Sequence, residues 1–143
     1  MSKRPIRFFN TTGPCDPDMH YMLPPAERLQ GAQLERYVED NLYWVLHAPR
    51  QTGKTTFLQS WMRELNATDK FIACYVSIET AQSASLELGM PSICSSIKKS
   101  AQHSALPVPS TNETNPFEMV KALLIDWAAK MSPKPLIVLF DEV

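Results

Sequence analysis

Apolar positions recur along this chain in two rhythms, and the changes from one to the other mark out its elements. Leu42-Tyr43-Trp44-Val45-Leu46-His47 is a short run of apolar and β-prone residues, which predicts a strand. Over 55–65 the period lengthens, and Phe57, Leu58, Trp61, Met62 and Leu65 fall on one helical stripe. Asn66-Ala67-Thr68-Asp69 then reads as a turn. Phe71 to Ile78 is almost continuously apolar, the pattern of a strand buried on both faces of a parallel sheet. A third apolar run, Leu136-Ile137-Val138-Leu139-Phe140, ends in Asp141-Glu142.

The segments between these runs carry helix signals of different strength. Pro25 suits the first turn of a helix through Leu29; Gly31 interrupts it, and Leu34, Tyr37 and Val38 carry the stripe on to Asp40. Ile93, Ile97 and Ala101 predict a helix from Pro91 to His103, with Lys98 and Lys99 in solvent. Leu106 to Asn112 is loop. Asn115 caps the next helix, Pro116 fits its first position, and Glu118 stands three residues after the cap. Its apolar face is Phe117, Val120, Leu123, Leu124, Trp127 and Met131, and Ser132-Pro133-Lys134-Pro135 stops it. Strands alternating with helices indicate an α/β fold with a parallel sheet. Residues 1–25 break this pattern with Arg4-Pro5, Gly13-Pro14, Asp16-Pro17 and Pro24-Pro25. Phe8, Phe9, Met19, Tyr21, Met22 and Leu23 are interleaved there, so 1–25 reads as an irregular arm packed on a domain spanning 26–143.

Composition narrows the function classes. The chain has 143 residues, 44% hydrophobic and 20% charged, enough for one domain with a real core. A formal net charge of −1 gives no bulk case for binding nucleic acid or a membrane surface. No run approaches the ~20 apolar residues of a membrane span, and no signal-peptide core is present. Cys15, Cys74 and Cys94 are odd in number and lack C-x-x-C spacing, so neither a disulfide framework nor a zinc site is indicated. A reducing, cytoplasmic setting is expected.

Between the first apolar run and the first stripe lies Ala48-Pro49-Arg50-Gln51-Thr52-Gly53-Lys54-Thr55, followed by Thr56. It matches the phosphate-loop pattern G-x-x-x-x-G-K-[ST], with alanine in place of the first glycine. Strand, loop, helix is the context that pattern needs. Backbone N–H groups of such a loop hydrogen-bond phosphate oxygens, and the following helix presents its positive dipole end. Gly53 lets the backbone approach, Lys54 supplies a movable cation to the β- and γ-phosphates, and the Thr55 hydroxyl is placed to ligand Mg²⁺. His47 adjoins the loop and is equally read as a polar strand end. Tyr21, Met22 and Leu23 are adenine-contact candidates, although plain packing is the simpler reading.

The carboxylates after the last run complete the chemistry. Five apolar residues place a buried strand whose carboxyl end, where ligands bind in open α/β sheets, carries Asp141-Glu142. This has the form of a Walker B motif: Asp141 holds Mg²⁺ alongside Thr55, and Glu142 orients and deprotonates the attacking water. Catalytic candidates are therefore Lys54 and Glu142.

Taken together, these motifs resemble the P-loop ATPases with an additional catalytic glutamate. The stretch His47 to Thr56, with Phe9-Asn10-Thr11, Gly13-Pro14-Cys15 and His20 to Pro25, is similar to a prokaryotic AAA-like group related to STAND ATPases. The resemblance implies a three-layer sandwich with sheet order 5-1-4-3-2, ATP and Mg²⁺ as ligands, and hydrolysis driving a conformational change with a protein partner or oligomer. The family continues past the Asp-Glu pair with a sensor strand, a further strand, a helical lid and an arginine finger. The expectation is thus the N-terminal portion of such an ATPase. Three alternatives stay open: a nucleotide-binding module without turnover, a GTPase or kinase of the other P-loop division, and an α/β protein that binds no nucleotide.

Overall fold

Two parallel strands with helices packed against them hold most of the buried side chains. The computed structural model describes residues 6–23, 34–49 and 52–142. Among these, the fold is mixed α/β, with a two-stranded parallel sheet and four α-helices. The chain divides into two compact units, Met1–Trp61 and Met62–Val143. The helix expected from Pro25 to Leu29 lies outside the described residues.

In the second unit, β1 (Ile72–Ser77) pairs in parallel with β2 (Leu136–Asp141), in a register that sets Cys74 against Val138 and Ser77 against Asp141. Both are runs that the apolar pattern marks as strands. Parallel neighbours need a crossover, and 78–135 supplies it with two helices. Cys74 and Val76 on one face of β1 pack with Cys94, Ile97 and Ala101 of α3 (Leu86–His103) and with Leu123, Trp127 and Met131 of α4 (Met119–Met131). Ile72, Leu136, Val138 and Phe140 share that face, as the register requires. The fully buried aliphatic side chains of this core, Val76, Ile97 and Leu123, contribute about 1.5–3 kcal/mol each by burial. Burial also pushes the Cys74 and Cys94 thiols up, so both stay protonated and behave as small apolar residues.

The far edge of β1 is closed by a side chain. Asn66 donates its amide to the Ala73 carbonyl at 2.9 Å and accepts the Ala73 N–H at 2.8 Å, as a neighbouring strand residue would.

Two helix expectations are corrected here. α3 begins at Leu86 rather than Pro91, so Pro91 sits inside it and removes one intrahelical hydrogen bond. The packing of Cys94, Ile97 and Ala101 into the core outweighs that loss. α4 begins at Met119, later than its cap signal, because 116–118 forms a turn first. Asn115 caps that turn rather than α4, whose N-cap is Glu118: the Asn115 side chain accepts the Phe117 N–H at 3.1 Å, and its carbonyl accepts from Glu118 and Met119. Phe117, placed on the apolar face by periodicity, is 77% exposed, since the turn rotates it off the stripe.

In the first unit, α1 (Leu34–Glu39) is short and has no buried residue. The strand predicted over 42–47 does not form: 42–49 carries no regular structure. Side chains there still alternate, Trp44 and Leu46 half-buried, Tyr43 fully exposed and Val45 76% exposed. The run has the propensity of a strand without a hydrogen-bonded neighbour, and propensity reports fit to a sheet surface rather than a backbone preference. Residues 8–20 form a hook, while Phe8, Phe9, Met19, Tyr21 and Leu23 of the arm are exposed. Phe8 and His20 form a bridge with rings 4.8 Å apart, and Asn10 bonds the Gly13 and Pro14 carbonyls around a left-handed Gly13.

α2 (Lys54–Ala67) begins in the first unit and ends in the second. It buries Phe57, Leu58, Trp61 and Leu65 of the predicted stripe and leaves Met62 half-buried. Among the described residues, no helix is long and apolar enough to cross a membrane.

Candidate functional site

The candidate residues fall into two groups, one in each unit. Ala48, Pro49 and Thr52 to Thr56 belong to the first; Asp141 and Glu142 belong to the second. Arg50 and Gln51 lie outside the described residues.

The loop group is closed upon itself. Lys54 opens a helix of 14 residues, and Gly53 directly before it has φ +86°, backbone that a side chain strains. The Gly53 carbonyl accepts the Phe57 N–H at 2.9 Å, which starts the helical ladder. From this helix start the Lys54 ammonium reaches back over the loop, donating to the Ala48 carbonyl at 2.5 Å and the Pro49 carbonyl at 3.2 Å. The Thr52 hydroxyl also donates to the Pro49 carbonyl, at 2.7 Å. An ammonium has three N–H donors, so these two carbonyls leave capacity for another acceptor. The loop thus places a cation beside a helix N-terminus.

The two threonines differ. Thr55 is half-buried at the first helical turn. Thr56 is buried, and its hydroxyl accepts the Cys15 N–H at 3.0 Å, which ties the arm to α2. His47 is exposed, as are Tyr21 and Leu23 in the arm, with Met22 half-buried.

The acidic group sits at the carboxyl end of β2. Asp141 is only 6% exposed, and Glu142 follows it in solvent. Partners fix both. The Tyr75 hydroxyl donates to Asp141 Oδ2 at 2.9 Å, the Glu142 N–H donates to Oδ1 at 3.0 Å, and the Asp141 carbonyl accepts the Ile78 N–H at 3.1 Å. Glu142 has φ +64°, and the Gln82 side-chain amide holds its carbonyl at 2.9 Å. A residue other than glycine keeps such backbone only where its surroundings impose it.

Asp141 suits a hard cation. Magnesium takes oxygen ligands, often one or two carboxylates together with phosphate oxygens and water. A carboxylate offers about four acceptor positions, and the Tyr75 hydroxyl and the Glu142 N–H are two of the donors to Asp141. No cluster of three or more His, Cys, Asp or Glu that could hold a metal ion occurs among the described residues.

Tyr75 and Gln82 are not evident as site residues from motif spacing. A signal does exist for Tyr75: it is a hydroxyl within a near-continuous apolar strand, and such a group takes a partner when buried. The register supplies that partner. Ser77 faces Asp141, and Tyr75 lies two residues earlier on the same side of the sheet. No protein-family model, no curated protein and no solved structure matches the chain.

Proposed function

We propose that the chain binds ATP with Mg²⁺ and hydrolyses it, as an AAA-like P-loop ATPase of the three-layer class whose nucleotide cycle drives a conformational change in a partner or oligomer. One observation carries the reading: the Lys54 ammonium, at the start of α2, is folded over a loop whose last residue is a left-handed glycine. That arrangement offers a cation, converging helix N–H groups and a close backbone approach to a polyphosphate. In this reading Thr55 and Asp141 would each offer a hard oxygen to magnesium, which would supply positive charge against the phosphates. Glu142 accepts a proton from the attacking water. Loop residues 48–56 supply the remaining phosphate contacts.

Steady-state ATP hydrolysis tests the proposal. The chain is expected to hydrolyse ATP only with Mg²⁺. Lys54→Ala removes binding and turnover together. Glu142→Gln keeps binding and lowers turnover by about 10²–10⁴, the usual contribution of a positioned base. An unchanged rate in Glu142→Gln overturns the role of Glu142. Tight Mg²⁺-ATP binding without turnover selects the binding-module reading.

A further inference from the structure

Resting on the ATP reading above, we infer that Gln82 is a positioning residue for hydrolysis: its side-chain amide holds the backbone of Glu142, and so the place from which that base acts. Glu142 is a non-glycine residue with φ +64°. In that left-handed region a Cβ crowds the backbone, and the residue stays there only where its surroundings impose it. Glutamate also lacks the short polar side chain with which Asn or Asp bonds its own backbone in this conformation.

The constraint comes from the segment that follows β1. There the chain passes through Ile78 into a 3₁₀ turn, Glu79–Ala81, with Gln82 directly after it. The Ile78 N–H donates to the Asp141 carbonyl at 3.1 Å, and the Gln82 amide donates to the Glu142 carbonyl at 2.9 Å. Two successive carbonyls at the carboxyl end of β2 are thus held from one segment. The Glu142 N–H, bonded to Asp141 Oδ1 at 3.0 Å, completes the hold on both sides of the Glu142 Cα. The turn that carries Gln82 is itself fixed. Ala81 N–H donates to the Ile78 carbonyl at 2.9 Å and Gln82 N–H to the Glu79 carbonyl at 3.1 Å, while the Thr80 and Ser92 hydroxyls, 3.0 Å apart, join the turn to α3. The direction of a Cα–Cβ bond follows from the backbone at that residue. A general base works only within hydrogen-bond reach of the proton it takes, and a small misplacement lowers the rate. Gln82 supplies no chemistry; it acts through Glu142. A purely structural bond is the rival account, and it differs in one measurable respect. Loss of a structural bond changes folding stability and leaves turnover by the folded chain alone.

The experiment is steady-state ATP hydrolysis by the full chain with Mg²⁺, together with equilibrium binding of a fluorescent ATP analogue. It compares wild type, Gln82→Met, Gln82→Glu, Glu142→Gln and the double variant Gln82→Met with Glu142→Gln. Circular dichroism confirms the fold of each. Gln82→Met keeps the length of the side chain and removes the donor; Gln82→Glu keeps its shape and, when ionised, only accepts. Both are expected to lower kcat by about three- to tenfold, the worth of one hydrogen bond, with KM and analogue binding unchanged. The double variant is expected to be no slower than Glu142→Gln. Wild-type kcat in Gln82→Met, beside a slowed Glu142→Gln, overturns the inference and leaves the ATP reading standing. An equal loss on Gln82→Met in both backgrounds, or a loss that falls on KM and analogue binding, also overturns it. Absence of hydrolysis by wild type overturns the proposed turnover and the inference together.

Discussion

At the scale of single residues, backbone conformation decides several roles that side-chain chemistry alone leaves open. Gly53 and Glu142 both have positive φ, one directly before the loop lysine and the other directly after the strand aspartate. Glycine adopts that backbone without strain, whereas Glu142 is held there while Gln82 bonds its carbonyl. Ala105 is a third case with a different meaning. It has φ +53° just after α3, where Leu106 N–H reaches the Ala101 carbonyl and Ala105 N–H reaches the Gln102 carbonyl. That bond pair is the Schellman helix ending, whose left-handed position favours glycine. Ala105→Gly is therefore expected to stabilise the chain by about 0.5–1 kcal/mol, the left-handed penalty less the extra unfolded-state freedom of glycine. A urea titration should show a higher midpoint at unchanged slope, and a lower midpoint would refute the argument.

At the scale of elements, the sheet is closed on one side by an amide. β1 has β2 on one edge and Asn66 on the other, where its side chain satisfies both backbone groups of the buried Ala73. An unpaired strand edge invites association with other chains, and a single amide covers only one residue of it. Asn66→Ala removes both hydrogen bonds at a residue that water reaches poorly. The expected loss is about 1–3 kcal/mol in chemical denaturation, with more association at high concentration by light scattering. A loss within a few tenths of a kcal/mol would mean that water replaces the amide. α4 shows how capping and packing divide the work. Asn115 starts the turn, but the buried stripe Leu123, Trp127 and Met131 sets which face turns inward. Phe117 precedes the first full helical turn and so escapes that stripe.

At the scale of the whole molecule, the proposed nucleotide binding is expected to appear as stability. A ligand that binds only the folded chain stabilises it by mass action, about 2.7 kcal/mol at a concentration one hundred times its Kd. Mg²⁺-ATP at that excess is expected to raise the melting temperature by several degrees in a thermal scan. Lys54→Ala should erase the shift, and EDTA should reduce it. A larger shift with GTP than with ATP would move the reading to the GTPase division. A net charge of −1 gives little long-range steering to an anionic ligand, so on the proposed ATP reading the attraction comes from the local cation at Lys54.

Much of the fold was legible because its causes are local. The stripe of Phe57, Leu58, Trp61 and Leu65 and the apolar runs that became β1 and β2 encode their elements by periodicity. The Gly53-Lys54-Thr55 and Asp141-Glu142 motifs are local in the same sense, each a contiguous string whose residue types suffice to nominate it. Other features depend on partners distant in sequence. The 42–47 run has strand propensity, yet a strand exists only where a neighbour completes its ladder. Pro91 marks a helix start by rule but lies within α3, because core packing extends the helix past it. Tyr75 meets Asp141 across 66 residues, and Gln82 meets Glu142 across 60. The sequence by itself determined which residues are candidates for phosphate and metal. Only the tertiary structure decided which side chains hold them in place, since that choice follows from strand register and not from spacing along the chain.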